Sequence, residues 1–404
     1  MEMLRTVAKA WNIPDIRKKI IFTLLMLLIF RIGSQIPVPG IDREVLSQTF
    51  NSETGLFALF NLFSGGAFSN FTIFALSITP YITASIILQL LTIAVPSLER
   101  LAREGTEGRK KIAQYTRYLT VLLAVVQAIG VSIGLFRQAL VSTDVFSVTV
   151  IVLVLTAGTA FLMWLGEQIT EFGIGNGISI ILFAGILSRV PSMVSSGHSY
   201  IVSNPTKWWA VVLVVLGILA LIVLVTWVNG AERRIPVQYA KRQVGRKMYG
   251  GQASTLPMKV NMSGVLPIIF AQSIAMIPST IAAFCKQPAE GTVMYHFLNA
   301  IDTKSVLYMV CYLAMIIGFS YFYATIQFNP IEISNNLKKN GGFIPGFRPG
   351  KPTADFIKKV LNKVTLFGAI YLGVVAILPL LIGKIVNQSS LSIGGTSVII
   401  VVGV

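Results

Sequence analysis

The chain has 404 residues, 54% of them hydrophobic and only 12% charged, with 33 Lys and Arg against 16 Asp and Glu and a formal net charge of +17. With a mean hydropathy of +0.74, that balance excludes a soluble globular domain and implies an integral membrane protein. The two cysteines, Cys285 and Cys311, lack the even, close spacing of a disulfide framework.

The leader, residues 1–19, opens with "MEMLRTVAKAW" and carries Leu4, Val7, Ala8 and Trp11 at helical spacing, which predicts an amphipathic segment lying in the membrane interface. Arg17, Lys18 and Lys19 then precede an apolar run. No small-residue cleavage site follows and many more runs come after, so this is a first span and not a signal peptide. A hydrocarbon core about 30 Å thick takes roughly 20 apolar residues per helix. Ten runs answer to that: 20–36, 71–95, 118–136, 148–166, 178–194, 208–228, 264–284, 306–328, 364–385 and 393 onward. The tenth is expected to be cut short inside a helix.

Lys and Arg set the orientation. With the N-terminus inside, the inside segments hold five, six, none, seven and seven of them, 25 in all; the outside segments hold seven, and Arg31 lies near the outer end of the first span. The inside loop with Glu167 and Glu171 has no basic residue and is placed by parity alone. Five spans followed by five put the halves, 20–194 and 208–404, in opposite orientation, the arithmetic of an inverted repeat around a midplane site. The polar connection 195–207, "SSGHSYIVSNPTK", reads as a turn-rich external hinge.

Two inside loops, 229–263 and 329–363, are long and basic. The first reads "ERRIPVQYAKRQVGRKMYGG" and carries Arg242, Arg246 and Lys247; the second reads "NNLKKNGGFIPGFRPGKPTADFIKK", in which glycines and prolines force a turn with Arg348 near its tip. A topogenic loop needs only a few lysines or an anionic-lipid contact. Loops of this length can also dock a large negatively charged partner.

Ionisable groups at membrane depth mark enzymes and pumps, and the spans hold almost none. His198 and His296 fall in outside loops with no cluster at metal-ligand spacing, and no cofactor motif is present. "GIGNGIS", 173–179, follows no strand and lacks a GK[ST], so it reads as a tight inside turn in which Asn176 and Gly177 start the fifth span. Neutral amides do occur in spans two, three and seven: Gln89, Gln127 and Gln272. They make either isolated interhelical hydrogen bonds or a seam between halves weaker than an apolar one. One segment does not span at all: "NLFSGGAFSN", with Asn61, Leu62, Phe63, Ser64, Gly65 and Gly66, is apolar, broken by glycine and too short to cross.

The ordered set "FRIGSQIPVPGID", "FNLFSGGAFSNFTIFALSITPYITASIILQLL", "EGRKKIAQYTRY", "MWLGEQITEFGIGNGISI", "VQYAKRQVGRKMYGGQASTLPMKVN", "NNLKKNGGFIPGFRPGK" and "GGTSVIIVV" resembles the SecY family of bacterial protein-conducting channels. That resemblance implies an all-α polytopic protein of ten helices in two inverted halves around an hourglass pore. It implies a plug at about 56–70, after which residue 71 opens the pore-lining half of the second span. It implies a ring of aliphatic side chains, Ile78, Ile82, Leu182, Ile269 and Ile400 with Ser273 close by, and a lateral gate of spans two, three, seven and eight along which Gln89, Gln127 and Gln272 lie. Arg242, Arg246, Lys247 and Arg348 would dock the SecA motor ATPase and the ribosome. SecE and SecG subunits, unfolded polypeptides with signal sequences, and membrane lipid complete the implied partners. The expected role is translocation of unfolded chains across a bacterial plasma membrane, or sideways into lipid, with the N-terminus cytoplasmic and no enzymatic step. A secondary transporter of small solutes is the rival.

Overall fold

A computed structural model of the chain describes residues 11–42, 64–135, 140, 142, 144–203, 208–239, 242–244, 247–249, 253–262, 264–272, 274–275, 305–386 and 395–403. The chain divides into two compact units, residues 1–205 with 277–298 and 404, and residues 206–276 with 299–403.

In the first unit α1 spans Pro14–Gly33, its proline in the opening turn, where a missing N–H costs nothing. The second span departs from expectation. Its helix α2 runs Thr79–Ala94, and residues 71–78 are turns. Phe71 and Ser77 hold positive φ angles of 42° and 54°, and Pro80 can accept no earlier helical turn, because its ring would meet the carbonyl four residues back. A short helix α3, Pro96–Arg103, bends away from α2 by 105°. Helix α4, Thr106–Ile129, runs on through a π-helical turn at Gly130–Leu135, and α5 covers Val145–Phe172.

The tight turn after α5 forms as expected. Asn176 caps α6, Gly177–Leu187, its side-chain oxygen accepting from the amides of Ile178 and Ser179. The Thr23 hydroxyl of α1 accepts from the Ile174 amide at 3.2 Å, tying the first span to this turn. The expected fifth span 178–194 is instead two helices, because α6 ends and α7 spans Val190–Ser203. Residues 195–203 are therefore helical where turns were expected. The serines of α7 do not break the helix: Ser192, Ser195, Ser199 and Ser203 each donate back to a carbonyl three or four residues earlier.

In the second unit α8 is Trp208–Gly230. The two long basic loops then carry strands within a helical protein. β1, Glu232–Tyr239, pairs antiparallel with β4, Ala253–Lys259, and between them β2, Arg242–Val244, pairs with β3, Lys247–Tyr249. Residues 266–272 are helical, α9 is Val306–Gln327 and α10 is Pro330–Lys339. β5, Gly342–Phe343, joins the other edge of β1 and gives the order β4-β1-β5. Helix α11, Lys351–Val386, has 36 residues and so extends about 54 Å, far past the expected 364–385. The last described element is α12, Gly395–Gly403.

By length and composition, four described helical stretches can cross a membrane (106–133, 145–172, 307–339 and 351–378), and the bent α2–α3 pair makes a fifth. Stretches 177–192 and 214–230 are shorter apolar helices. The expected spans at 264–284 and from 393 fall partly outside the described residues.

Candidate functional site

The glycine-broken segment is described from Ser64 onward; Asn61, Leu62 and Phe63 lie outside the described residues. Residues 64–78 do not leave the bundle but are buried in it: Ala67, Phe68, Phe71, Phe74, Ala75, Leu76 and Ile78 are each at most 2% exposed. Backbone bonds hold its second part, with the Val38 amide donating to the Phe71 carbonyl and the Ile73 amide to the Ile36 carbonyl. Glycines on both flanking helices permit this approach. A Cβ on Gly33 would lie 2.1 Å from the Phe74 ring, and one on Gly158 would lie 2.0 Å from the Ile73 carbonyl oxygen. Phe30, Phe74 and Phe161 stack in succession at about 6 Å.

The first part of the segment is held differently. Gly65 and Gly66 take φ of 62° and 91°, a region open mainly to glycine. The Gly65 carbonyl accepts from Arg31 Nη1 at 3.3 Å and from the Ser188 hydroxyl at 3.2 Å. Neither Arg31 as a partner nor Ser188 at all was singled out from the sequence. The small residues Gly33 and Gly158 carried the available signal, since such positions on apolar helices mark close packing.

Of the expected ring residues in the first unit, Ile78 is fully buried just before α2, Ile82 lies one turn on with its amide bonded to the Ile78 carbonyl, and Leu182 is buried on α6. In the second unit Ile269 is half-buried on the helical stretch 266–272 and Ile400 is buried on α12. There Val398 and Val402 of α12 pack with Val265, Ile268 and Ala271. Ser273 lies outside the described residues.

The amides divide. Gln89 is exposed on α2, whereas Gln127 on α4 and Gln272 in the second unit each bury a side-chain oxygen with no hydrogen-bond partner among the described residues. Near the middle of α4, Arg117 pairs with Glu167 of α5 at 2.8 Å. That contact sets Glu167 of α5 beside the basic N-terminal half of α4, which carries Arg109, Lys110, Lys111 and Arg117.

The two basic loops form one body. Register runs from Glu232 opposite Lys259 to Gln238 opposite Ala253, while Gln238 and Tyr239 also face Phe343 and Gly342. Ile235, Val237, Met258, Leu337, Ile344, Ile357 and Leu361 close a core beneath the sheet, and the N-terminal third of α11 supplies its floor. Arg348 is exposed on the turn after β5. That turn is fixed: its Arg348 carbonyl accepts from the Thr353 hydroxyl at 2.8 Å, the Gly350 carbonyl accepts from Ser334, and Phe347 stacks on Phe356. Arg242 and Lys247 fall on the β2–β3 pair; Arg246 lies outside the described residues.

The SecY family model matches residues 72–404. A protein translocase subunit SecY of Halalkalibacterium halodurans is 48% identical over 412 residues, spanning all of this chain and 95% of that protein. The SecY of Bacillus subtilis is 46% identical over 413 residues with the same coverage. Among solved structures, one described as the structure of a protein conducting channel matches with a TM-score of 0.66 at 18% identity, over 96% of this chain and 90% of that one. A yeast Ssh1 complex bound to the 80S ribosome matches with a TM-score of 0.60 at 15% identity, over 96% and 87%. At those identities the structural likeness is one of fold.

Proposed function

This chain belongs to the SecY family, and from that premise we propose how it works as the channel subunit of a protein translocase. It is a multi-pass membrane protein that conducts polypeptides and is not an enzyme; the small-solute transporter has no support among its relatives. Residues 56–70 act as a plug, and Ile78, Ile82, Leu182, Ile269 and Ile400, with Ser273, line the constriction. A narrow aliphatic ring excludes ions by dewetting and yields to an extended chain of any sequence. The observation that carries this reading is the burial of an uncharged, turn-rich segment, 64–78, inside a helical bundle without crossing it.

Energy enters from a partner. Arg348 on its braced turn, with Arg242, Arg246 and Lys247, forms the docking surface for the SecA motor and the ribosome, and SecE and SecG are the small companion subunits. The N-terminus is cytoplasmic in this reading, which rests on the inside excess of Lys and Arg. Gln89, Gln127 and Gln272 lie along the lateral gate by which apolar segments reach lipid; this reading is supported by the side-chain oxygens of Gln127 and Gln272, each buried without a partner among the described residues and so costly to keep there.

The test is single-channel conductance in planar bilayers, comparing the intact protein with a deletion of 56–70. A silent intact protein and a conducting deletion are expected. Equal silence in both, with insertion verified, removes the plug from the reading.

A further inference from the structure

Arg31 is a cation in the last turn of α1. Its guanidinium donates to one group among the described residues, the Gly65 carbonyl. The same oxygen receives the Ser188 hydroxyl from the end of α6. We propose that Arg31 and Ser188 form a latch on the Gly65 carbonyl that holds the plug segment seated, and that losing the latch raises the frequency of opening. The inference rests on the plug reading above.

Geometry makes the Gly65 carbonyl a switch point. A Cβ on Gly65 would lie 2.9 Å from both the Cα and the carbonyl oxygen of Gly185, so backbone meets backbone there. The approach brings the Gly65 carbonyl to the C-terminal end of α6, where helix carbonyls already concentrate partial negative charge. That juxtaposition is repulsive unless donors stand between, and Arg31 and Ser188 are the donors. Ser188 is divided: its one hydroxyl proton serves either the Gly65 carbonyl at 3.2 Å or the Gly185 carbonyl of its own helix at 2.7 Å. When the segment leaves, Ser188 keeps a full hydrogen bond within α6, and Arg31, at the exposed rim, is rehydrated. Neither partner is stranded by opening, so the seated state is held by a small margin and can be released by an arriving chain.

The second half of the segment has no such release. It is held by the two backbone bonds to residues 36 and 38, by the aromatic stack, and by packing of Phe71, Ala75 and Leu76 in one buried cluster with Val38, Ala128, Val131, Ile151 and Leu155. The glycine pair Gly65–Gly66, with open space around Gly66, lies at the boundary between the latched part and the packed part.

Conductance recordings on the full-length protein decide it, with Arg31→Gln, Ser188→Ala, the double variant and the 56–70 deletion measured side by side. Each single variant is expected to raise the open fraction severalfold, and the double variant about tenfold, which corresponds to about 1.4 kcal/mol. Ser188→Thr keeps the hydroxyl and is expected to stay silent, a distinction that general loosening of α6 would not produce. A conducting deletion with a silent double variant overturns the latch and leaves the plug standing. A silent deletion overturns the plug reading and the latch with it. Should the double variant fail to insert, Ser188→Ala against Ser188→Thr carries the comparison alone.

Discussion

Gln127 and Gln272 each place an amide oxygen where water does not reach and no described donor meets it. A buried acceptor left unpaired costs about 1–3 kcal/mol, so these two residues spend stability that Leu would keep. Gln127→Leu and Gln272→Leu are each expected to stabilise the protein by about 1 kcal/mol, read as a higher melting temperature in detergent. A lowered melting temperature would mean that a group outside the described residues satisfies the oxygen. Gln89 belongs to another case, because on exposed α2 surface its amide has no such penalty. The sequence marked all three amides alike; only burial separated them.

Among the elements, the three-stranded sheet departs furthest from what the sequence announced. Its strands alternate as strands should, with Ile235 and Val237 buried and Arg234 and Pro236 exposed, yet the charge and glycine content of "ERRIPVQYAKRQVGRKMYGG" concealed that period. Gly342 is the point of coupling between the two loops, since a Cβ there would meet the Tyr239 ring at 2.9 Å. Gly342→Val is therefore expected to pry β5 from β1. Amide hydrogen exchange at Tyr239 and Phe343 should accelerate about tenfold, equivalent to about 1.4 kcal/mol, with exchange in α9 unchanged. Unaltered exchange would show that the floor helices, not the β1–β5 pairing, join the loops. The serine-lined helix α7 teaches the converse: turn-forming composition gives way when each hydroxyl finds a carbonyl one turn back.

For the whole molecule, charge is the long-range term. The net +17 is gathered by the proposed topology at one surface, and an exposed basic patch of that kind attracts acidic partners in a way that salt screens within about 10 Å at 0.1 M. Arg348→Glu reverses one charge on a turn whose shape is fixed by the Thr353 and Ser334 hydroxyls and the Phe347–Phe356 stack, none of which uses the guanidinium. Motor binding, measured by cosedimentation at low and moderate salt, should fall severalfold at low salt with an unchanged melting temperature. Equal binding by both proteins would move the docking surface off this loop.

The sequence by itself determined the membrane class, the apolar and mostly helical character, the clustering of Lys and Arg in a few segments, the Asn176 cap and the family. Each of these is written in local composition or in the order of short motifs, and transfer of apolar or charged residues between water and lipid is decided largely residue by residue. Tertiary structure decided the rest. The start of α2 at Thr79, the joining of two distant loops on β1, the glycine contacts at Gly33 and Gly158, and the two donors on the Gly65 carbonyl all depend on which atoms, far apart in the chain, come within van der Waals reach. No periodicity along one segment can report a contact whose other half lies on a different helix.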